Sequence, residues 1–497
     1  MHSRNLKIYN TLSRKKELFN PISPPHIGMY VCGPTVYGDA HLGHARAAIT
    51  FDLVYRYLSH LKYKVRYVRN ITDVGHLEAD ADEGEDKIAK KAKLEQLEPM
   101  EVAQQYAESY HRDMNLLNTL KPGIEPRASG HIPEQIELVA NILKEGLAYE
   151  VNGSVYFDVL KYNERKKYGR LSGRVVEELM SGSRELDGQS EKRSPLDFAL
   201  WKKASPEHLM KWNSPWSLGF PGWHLECTAM SSKYLGNQFD IHGGGMDLMF
   251  PHHECEIAQS NACHQTDPAK YWMHNNMITI NGKKMGKSLG NFITLQQLFG
   301  GDHEKLEQAY SPMTVRFFIL TAHYRSTLDF SNQALQAAQK GYKKIINGYK
   351  IIQELVYKED PEISMDSKEI DQVEKSIAAA YDAMDDDFNS AQAIGHLFNL
   401  LKKINSIYTG QLPAAVFGEK VFSQLIQTYS VFTEKILGLA EEKIDHQEHL
   451  LDIILHHYHQ AKTARDYKKV DEIRARLRES GIIIKDMKDK IDWAYEE

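Results

Sequence analysis

Residues 28–44 read GMYVCGPTVYGDAHLGH, and this stretch decides the fold. Its apolar start predicts a short strand that ends in a Gly/Pro turn, and apolar residues between 48 and 58 recur at helical spacing. A second apolar stretch at 64–70 predicts another strand. Strand, helix and strand in this order predict a βαβ unit and therefore an α/β domain with a parallel sheet.

The rest of the chain alternates between helix and strand patterns before it becomes helical. Residues 85–120 and 133–147 have amphipathic helical patterns, and 153–157 predict a strand. The polar stretch 181–195 predicts a mobile loop. After a predicted N-cap at 329–332, several amphipathic helices continue to about residue 440.

Composition excludes several classes of protein. The 497 residues are 42% hydrophobic and 26% charged, which is typical of a globular protein with more than one domain. A net charge of −6 provides no global positive field, so any nucleic-acid surface must be a local patch. We find no signal-like N-terminus and no apolar stretch of about 18–20 residues, so we expect a cytoplasmic protein without membrane association. The four cysteines form no CxxC pair and are expected to be thiols or metal ligands.

Two segments have the character of phosphate-binding loops. Residues 41–44, HLGH, lie at the predicted strand-to-helix turn, where glycine permits close approach and the helix N-terminus supplies unpaired N–H groups. Residues 281–291, NGKKMGKSLGN, form a glycine-punctuated loop with three lysines but without Walker spacing. Such a loop can close over phosphates and neutralise developing charge. Each segment alone also fits a structural interpretation, either a helix start or a solvated turn.

A metal site is indicated by residues 250–256, FPHHECE, which carry zinc-type ligands at 252 and 256. Thiols at Cys32 and Cys227 could join them only if the chain folds back on itself. A metal held by such distant segments suggests a site that binds a ligand rather than a metal that only stabilises the local fold.

Together these motifs resemble the class I aminoacyl-tRNA synthetases. HLGH is similar to their HIGH-type motif, and 281–291 to their KMSKS-type loop. Four further segments resemble the cysteinyl-tRNA synthetases in particular: CGPTVY at 32–37, GWHLEC at 222–227, DIHGGG at 240–245 and FPHH at 250–253. The resemblance covers nearly the whole chain. It implies a Rossmann-type catalytic domain with an inserted connective domain, an α-helical bundle and a small C-terminal domain. The implied ranges are 1–130 and 215–310 for the catalytic halves, 131–214 for the insertion, 311–440 for the stem and tRNA-binding bundle, and 441–497 for the anticodon-side domain.

The resemblance also implies one zinc ion per chain, bound by Cys32, Cys227, His252 and Glu256. Residues 252 and 256 share one helix face, and two thiolates, an imidazole and a carboxylate satisfy tetrahedral zinc. Zinc prefers the soft thiolate of cysteine to the hydroxyl of serine, so selection can occur at binding without an editing domain. Cys255 could approach the metal in place of Glu256, and this alternative stays open.

Other site residues are implied by matching positions. The implied cysteine-pocket residues are Thr72, Trp223 and His242. The implied ATP-binding residues are His41, Gly43, His44 and Lys287, with Mg²⁺ bound to the ATP. The residues implied to stabilise charge in catalysis are His41, His44, Lys284 and Lys287.

Contacts with tRNA are implied for the C-terminal half. Residues 384–390, MDDDFNS, resemble a helix start of the tRNA-binding bundle, although an acidic N-cap is itself a structural reason for this pattern. Residues 462–478 carry seven basic and three acidic side chains and would contact phosphates, while Trp493 could stack on an anticodon base. The resemblance thus implies a monomeric enzyme that activates L-cysteine with ATP and transfers it to the 3′ end of tRNA(Cys).

Two other functions stay open. One is a ligase that activates cysteine in the same way but transfers it to an amino sugar; about 165 residues beyond residue 330 argue against the shorter C-terminal region of that relative. The other is a zinc-containing nucleotide-binding regulatory protein without catalysis, against which the intact His41, His44, Lys284 and Lys287 argue.

Overall fold

A computed structural model describes residues 5–75, 86–182, 191–286, 289–442, 447–486 and 491–495. The chain forms two compact units, Met1–Ala440 and Glu441–Glu497. Across the described ranges, no helix combines the length and the apolar character needed to cross a membrane. Part of the predicted loop at 181–195, namely 183–190, and also Lys287 lie outside the described residues.

Helices and strands alternate in the first 330 residues, and helices dominate thereafter. The described helices are α1 Leu42–His60, α2 Lys87–Glu95, α3 Pro99–Leu116, α4 Ile132–Lys144, α5 Val159–Arg165, α6 Val176–Gly182, α7 Trp223–Leu235, α8 His252–His264, α9 Leu295–Gly300, α10 Pro312–Leu320, α11 Asn332–Glu354, α12 Ser367–Asp385, α13 Ser390–Tyr408, α14 Gly418–Ser430, α15 Gln447–Thr463 and α16 Tyr467–Glu479. The described strands are β1 Lys7–Asn10, β2 Lys15–Leu18, β3 His26–Val31, β4 Lys64–Arg69, β5 Ala148–Val151, β6 Ser154–Phe157, β7 Phe198–Lys203, β8 Trp212–Asn213, β9 Leu218–Pro221, β10 Phe239–Gly245, β11 Ala269–Asn275, β12 Ile278–Ile280, β13 Lys283–Lys284, β14 Leu328–Phe330, β15 Ile482–Asp486 and β16 Ile491–Tyr495.

A parallel sheet in the order β11-β10-β3-β4 forms the centre of the first unit. The predicted βαβ unit is confirmed, since β3, α1 and β4 follow one another and β3 pairs in parallel with β4. Because β3 and β10 are also parallel neighbours, their carboxyl ends meet at one edge of the sheet. Ligands of open α/β sheets bind at this kind of edge.

The segment between the two halves of this sheet contains an antiparallel sheet in the order β5-β6-β7-β9-β8. β9, the last strand of this sheet along the chain, lies beyond residue 214, where the insertion was predicted to end. The core beneath it also receives residues from α7 and α8, which carry site residues described below. The insertion therefore supports these two helices from one side.

The amphipathic helical stretch predicted at 85–120 contains two helices, α2 and α3, in the part that the structure describes. Gln96 adopts a left-handed conformation with φ of 56° and ends α2. Pro99 occupies the first turn of α3, where its missing N–H is tolerated. The amphipathic pattern continues across this break, so the pattern alone did not show it.

The helices α11 to α14 share one hydrophobic core with the parallel sheet. The predicted N-cap at 329–332 is confirmed, because the Ser331 side chain accepts a hydrogen bond from the Ala334 N–H at the start of α11. The fully buried Arg316 of α10 forms an ion pair with Asp52 of α1 and donates to the Leu437 carbonyl at 2.7 Å. This guanidinium fixes the helical region against the helix that follows HLGH.

A helix, α13, does begin within residues 384–390, but its N-cap is not an acidic residue. Asn389 caps α13, and its side chain accepts from the Gln392 N–H. Asp387 is instead buried in a tertiary contact. Its carboxylate accepts hydrogen bonds from Tyr9 N–H at 2.8 Å, Tyr324 Oη at 2.7 Å and Arg325 Nε at 2.7 Å.

The second unit consists of α15, α16 and the antiparallel pair β15 and β16. The Asp486 carboxylate organises its polar side, because Lys462 Nζ lies 2.9 Å away and Arg474 Nη2 lies 2.6 Å away. Trp493 packs against the small apolar core of this unit.

Candidate metal centre and active site

Cys32 directly follows β3 and is fixed at the carboxyl edge of the sheet. Its N–H donates to the Gly243 carbonyl of β10 at 3.0 Å. The next residue, Gly33, donates its N–H to Asn70 Oδ1 at 2.9 Å. A Cβ atom on Gly33 would lie 1.6 Å from the Asn70 carbonyl oxygen, so no side chain fits there.

The helices α7 and α8 bring three further ligand-type side chains to Cys32. Cys227 lies on α7, and His252 and Glu256 lie one turn apart on α8. All three are buried. The ligand atoms of Cys32, Cys227, His252 and Glu256 lie within 4.8 Å of one another. The structure thus brings together the four side chains that were predicted to bind zinc, and we call them the four-residue cluster.

The spacing in this cluster fits a tetrahedral zinc ion. Zn–S bonds of about 2.3 Å separate two thiolates by about 3.8 Å, and Zn–N and Zn–O bonds of about 2.0–2.1 Å separate their atoms by about 3.3 Å. The two sulfur atoms of Cys32 and Cys227 lie 3.8 Å apart. His252 Nε2 and Glu256 Oε1 lie 3.3 Å apart. The donor set of two sulfurs, one nitrogen and one oxygen is also one that zinc accepts.

A second set of neighbouring ligand atoms combines Cys32 and Glu256 with His242 and His253. Here the short contacts have hydrogen-bond lengths. His242 Nε2 lies 2.8 Å from Glu256 Oε2, and His253 Nε2 lies 3.2 Å from the Cys32 sulfur. These histidines therefore orient Glu256 and Cys32 from outside the four-residue cluster, as outer partners of metal ligands commonly do.

Burial controls the ionisation of the two thiols. Burial raises the pKa of Cys32 to about 11 and raises the pKa of Cys227 well above its usual range. The neighbouring Glu256 carboxylate contributes in the same direction. At neutral pH both thiols are therefore protonated unless a positive ion is bound between them.

The imidazoles around the cluster form contacts through both ring nitrogens. His252 Nδ1 lies 3.0 Å from His224 Nδ1, which leaves His252 Nε2 toward Glu256. His253 Nδ1 lies 2.8 Å from His274 Nε2. Burial, with His242 nearby, lowers the pKa of His274 to about 3, so this ring is neutral at pH 7.

The side chains of the other two cysteines, Cys255 and Cys263, contact groups outside the four-residue cluster. Cys255 Sγ lies 3.5 Å from Tyr168 Oη, in the core shared with the insertion, and belongs to neither group of ligand atoms found among the described residues. Cys263 Sγ contacts the Leu138 carbonyl at 3.5 Å. This geometry favours Glu256 over Cys255, the alternative that the sequence left open.

Two of the three predicted cysteine-pocket residues contact the four-residue cluster directly, and the third, Thr72, contacts Glu226, which precedes Cys227. The Trp223 ring lies against the His252 ring, with centroids 4.6 Å apart. His242 contacts Glu256, as described above. The buried Thr72 hydroxyl donates to Glu226 Oε1 and accepts from Asn70 Nδ2 at 3.1 Å.

The histidines of HLGH cap α1 reciprocally. His41 Nδ1 accepts from the Gly43 N–H at 3.0 Å, and His44 Nδ1 accepts from the His41 N–H at 3.2 Å. Burial lowers the pKa of His44 to about 4, so this ring is neutral at pH 7 and carries its proton on Nε2. A Cβ atom on Gly43 would lie 2.8 Å from the His41 ring, which explains the glycine between them.

The chain that follows the lysine-rich loop lies next to this helix start. Asn291 closes the loop, because its Oδ1 accepts from the Gly286 N–H at 2.8 Å and its Nδ2 donates to the Lys284 carbonyl at 3.0 Å. The Phe292 ring lies 5.0 Å from the His41 ring. Lys284 is exposed at the end of β13, and the placement of Lys287 is not described.

Comparison with known proteins gives the same family over the whole chain. Residues 18–340 match the family of class I (C) tRNA synthetase catalytic domains, and residues 379–441 match the DALR domain. A relative from Cytophaga hutchinsonii, named cysteine–tRNA ligase, is 63% identical over all of both chains. A relative of the same name from Bacteroides thetaiotaomicron is 59% identical over 98% of both. The chain belongs to the cysteine–tRNA ligases.

Solved structures agree with this assignment at the level of fold. Mycobacterium tuberculosis methionyl-tRNA synthetase with methionyl-adenylate gives a TM-score of 0.58 at 13% identity and covers 90% of this chain and 96% of its own. An Agrobacterium radiobacter LeuRS in a complex with tRNA and LeuAMS gives 0.57 at 12% identity, covering 96% and 97%. The predicted class I fold with a helical domain after it is therefore confirmed.

The comparisons support neither alternative function. The full-length relatives at 57–63% identity are all named cysteine–tRNA ligase, which leaves the amino-sugar ligase and the non-catalytic regulator without support.

Sequence reasoning missed several residues of the site in this cysteine–tRNA ligase family member. Asn70, Glu226 and His224 contact predicted site residues, and His274 contacts His253 beside the cluster. Two of them, His224 and Glu226, lie inside the motif segment 222–227, but no spacing rule separates them from their neighbours. Their roles became visible only through contacts between distant segments.

Proposed function

We propose that this chain activates L-cysteine with MgATP and transfers it to tRNA(Cys). The cysteine carboxylate attacks the α-phosphorus, pyrophosphate leaves, and cysteinyl-adenylate forms. The 3′-terminal adenosine hydroxyl then attacks the cysteinyl carbonyl, and AMP leaves. Family membership supports this proposal, as does the position of the four-residue cluster and HLGH at the same edge of the parallel sheet.

The observation that carries the substrate assignment is the four-residue cluster. Cys32, Cys227, His252 and Glu256 would hold one zinc ion, with His242 and His253 as outer partners. When bound there, zinc supplies a soft Lewis acid that prefers a thiolate to a hydroxyl, so it selects cysteine over serine. Trp223 contributes an apolar wall beside His252.

For the activation step, we propose that the chain's own residues act by position and charge. His41, Gly43 and His44 would approach the phosphates of MgATP at the N-terminus of α1, where the positive end of the helix dipole favours anions. Because His44 is neutral at pH 7, it acts as a hydrogen-bond donor rather than as a cation. The positive charge opposite the reacting phosphate is then assigned to Lys284 and Lys287.

We also infer where tRNA binds, the oligomeric state of the enzyme and the compartment in which it works. The α-helical bundle, the basic stretch 462–478 and Trp493 are proposed to contact tRNA(Cys). Arg476 and Arg478 in this stretch are exposed, which suits contacts with phosphates. We expect a monomer that works in the cytoplasm.

The Cys227→Ser variant tests the proposed metal ligands. It removes a thiolate, so we expect loss of bound zinc and loss of cysteine-dependent ATP–pyrophosphate exchange together. The matched control is Cys263→Ser, because Cys263 contacts a backbone carbonyl far from the cluster. Metal analysis and the exchange assay on both variants give the answer. One zinc per chain and full exchange in Cys227→Ser would contradict the ligand assignment.

A further inference from the structure

Lys284 lies on a short hairpin formed by β12 and β13. The two strands pair at two positions, Thr279 with Lys284 and Ile280 with Lys283. The turn between them, 281–282, has left-handed backbone angles at both residues, with φ of 49° and 73°, as a tight two-residue hairpin turn requires. A two-stranded hairpin of this size is only marginally stable in water by itself, so its position depends on contacts with the rest of the protein.

The neighbouring strand β14 supplies such contacts on both faces of the hairpin. On the solvent face, Thr279 and Asp329 are register partners in the parallel pair of β12 with β14. The Asp329 Oδ1 accepts from Thr279 Oγ1 at 2.6 Å and from the Gly282 N–H at 2.7 Å. One carboxylate oxygen therefore connects both a strand and the turn of the hairpin to β14. The inward side chains of the two strands belong to the main hydrophobic core: Ile278, Ile280, Leu328 and Phe330.

The residues around Lys284 connect this carboxylate with the start of α1. The register partner of Lys284 is Thr279, whose hydroxyl donates to Asp329. The residue after Lys284, Met285, has its Cε atom 4.0 Å from the position that a Cβ atom on Gly43 would occupy. Lys284 thus stands between a segment held by Asp329 and a contact with HLGH.

We propose that Asp329 is a positioning residue for Lys284 in the activation step. This role rests on the proposed function, in which Lys284 supplies positive charge opposite the reacting phosphate. A displacement of about 1 Å at a catalytic group can cost about 100-fold in rate, so the placement of the hairpin matters for the chemistry. Among the described residues, Asp329 forms no ion pair with a Lys or Arg, so it acts through its two hydrogen bonds rather than through its charge.

A double-mutant cycle in cysteine-dependent ATP–pyrophosphate exchange tests this role. Asp329 is exposed, so Asp329→Ala leaves the core intact. It should lower kcat by about tenfold and leave KM for cysteine unchanged, because the loss of both hydrogen bonds displaces Lys284 and not the thiol site. In the Lys284→Ala background, the same change should lower kcat by less than about twofold, since the group that Asp329 positions is then absent. Equal losses in the two backgrounds would overturn the proposal.

Asp329→Asn separates position from charge. The side-chain oxygen of Asn can still accept from Thr279 and from the Gly282 N–H, so kcat should stay within about twofold of the wild-type value. An Asn variant as slow as the Ala variant would also overturn the proposal. The matched control is Glu207→Ala in the insertion, because Glu207 is another exposed carboxylate that accepts from a hydroxyl, that of Ser205. This control should exchange at the wild-type rate.

The Lys284→Ala protein distinguishes this inference from the proposed function. Full exchange in Lys284→Ala would contradict the catalytic role proposed for Lys284, and the role of Asp329 would fall with it. Loss of exchange in Lys284→Ala together with full exchange in Asp329→Ala would overturn the role of Asp329 alone.

Discussion

Gly33 shows how a residue without a side chain lets two distant segments of the chain approach each other closely. It follows Cys32, and its missing side chain lets the backbone approach Asn70, which in turn holds Thr72. Because the Asn70 carbonyl would lie 1.6 Å from a Cβ atom, any side chain must displace the Cys32 segment or the residue that follows β4. The thiol and the predicted cysteine pocket therefore share one close backbone contact.

Gly33→Ala should accordingly lower stability by about 1–3 kcal/mol, the usual cost of overpacking, and should weaken zinc retention. Gly38→Ala, five residues later, is the matched control, because a Cβ atom there has no neighbour within 4 Å. Urea denaturation and metal analysis check both variants. Equal behaviour of the two alanine variants would show that the close contact does not position Cys32.

Neighbouring residues of α8 show why spacing could not decide between Cys255 and Glu256. Both lie within one helical turn of His252, and both spacings, three and four, place side chains on roughly one face. Packing of α8 against the insertion turns Cys255 toward Tyr168 and leaves Glu256 toward Cys32. The outcome depends on tertiary contacts that the sequence pattern does not contain.

At the scale of elements, Asp387 connects three segments. It lies at the junction between α12 and α13, and its buried carboxylate accepts hydrogen bonds from Tyr9 of β1 and from Tyr324 and Arg325 in the segment after α10. Asp387 itself has φ of 67°, a conformation that costs energy for a residue with a side chain. The tertiary hydrogen bonds stabilise this strained junction.

Asp387→Ala should therefore destabilise the protein by about 3–5 kcal/mol, since it leaves buried donors and Arg325 unpaired. The adjacent Asp386→Ala removes only a half-exposed ion pair with Lys16 and should cost about 0–1 kcal/mol. Chemical denaturation measures both changes. Similar losses in the two variants would contradict the role assigned to the buried carboxylate.

The elements that could be predicted are those whose signals are local. β3, α1 and β4 follow from apolar periodicity, and the cap of α11 from Ser331. The break between α2 and α3 and the function of Asp387 could not be predicted, because the first is masked by a continuous amphipathic pattern and the second depends on Tyr9 and Tyr324. Local patterns identify elements, whereas contacts between elements determine the roles of polar residues.

At the scale of the whole molecule, the site combines segments that the sequence separates by about 200 residues. Cys32 and Cys227 belong to different halves of the catalytic region, and the parallel pairing of β3 with β10 brings these halves together. The family resemblance alone was sufficient to name the four proposed metal ligands. The predicted domain ranges and the individual site roles stay predictions.

The second compact unit allows a test of tRNA binding that spares the catalytic site. Arg474 is bonded to Asp486, so its replacement would disturb the fold of this unit. Arg476→Glu with Arg478→Glu changes exposed positions only and should lower kcat/KM for tRNA by about tenfold, with a weaker salt dependence, because phosphate contacts are lost. ATP–pyrophosphate exchange should be unchanged. Unchanged aminoacylation would place the tRNA contacts elsewhere.

The central claim is that one zinc ion, held by Cys32, Cys227, His252 and Glu256, binds the thiolate of the substrate. X-ray absorption at the zinc edge, recorded on the protein without and with cysteine, tests it most directly. We predict two sulfur ligands without cysteine, three with cysteine, and no change with serine. A sulfur count that cysteine does not change would contradict the account.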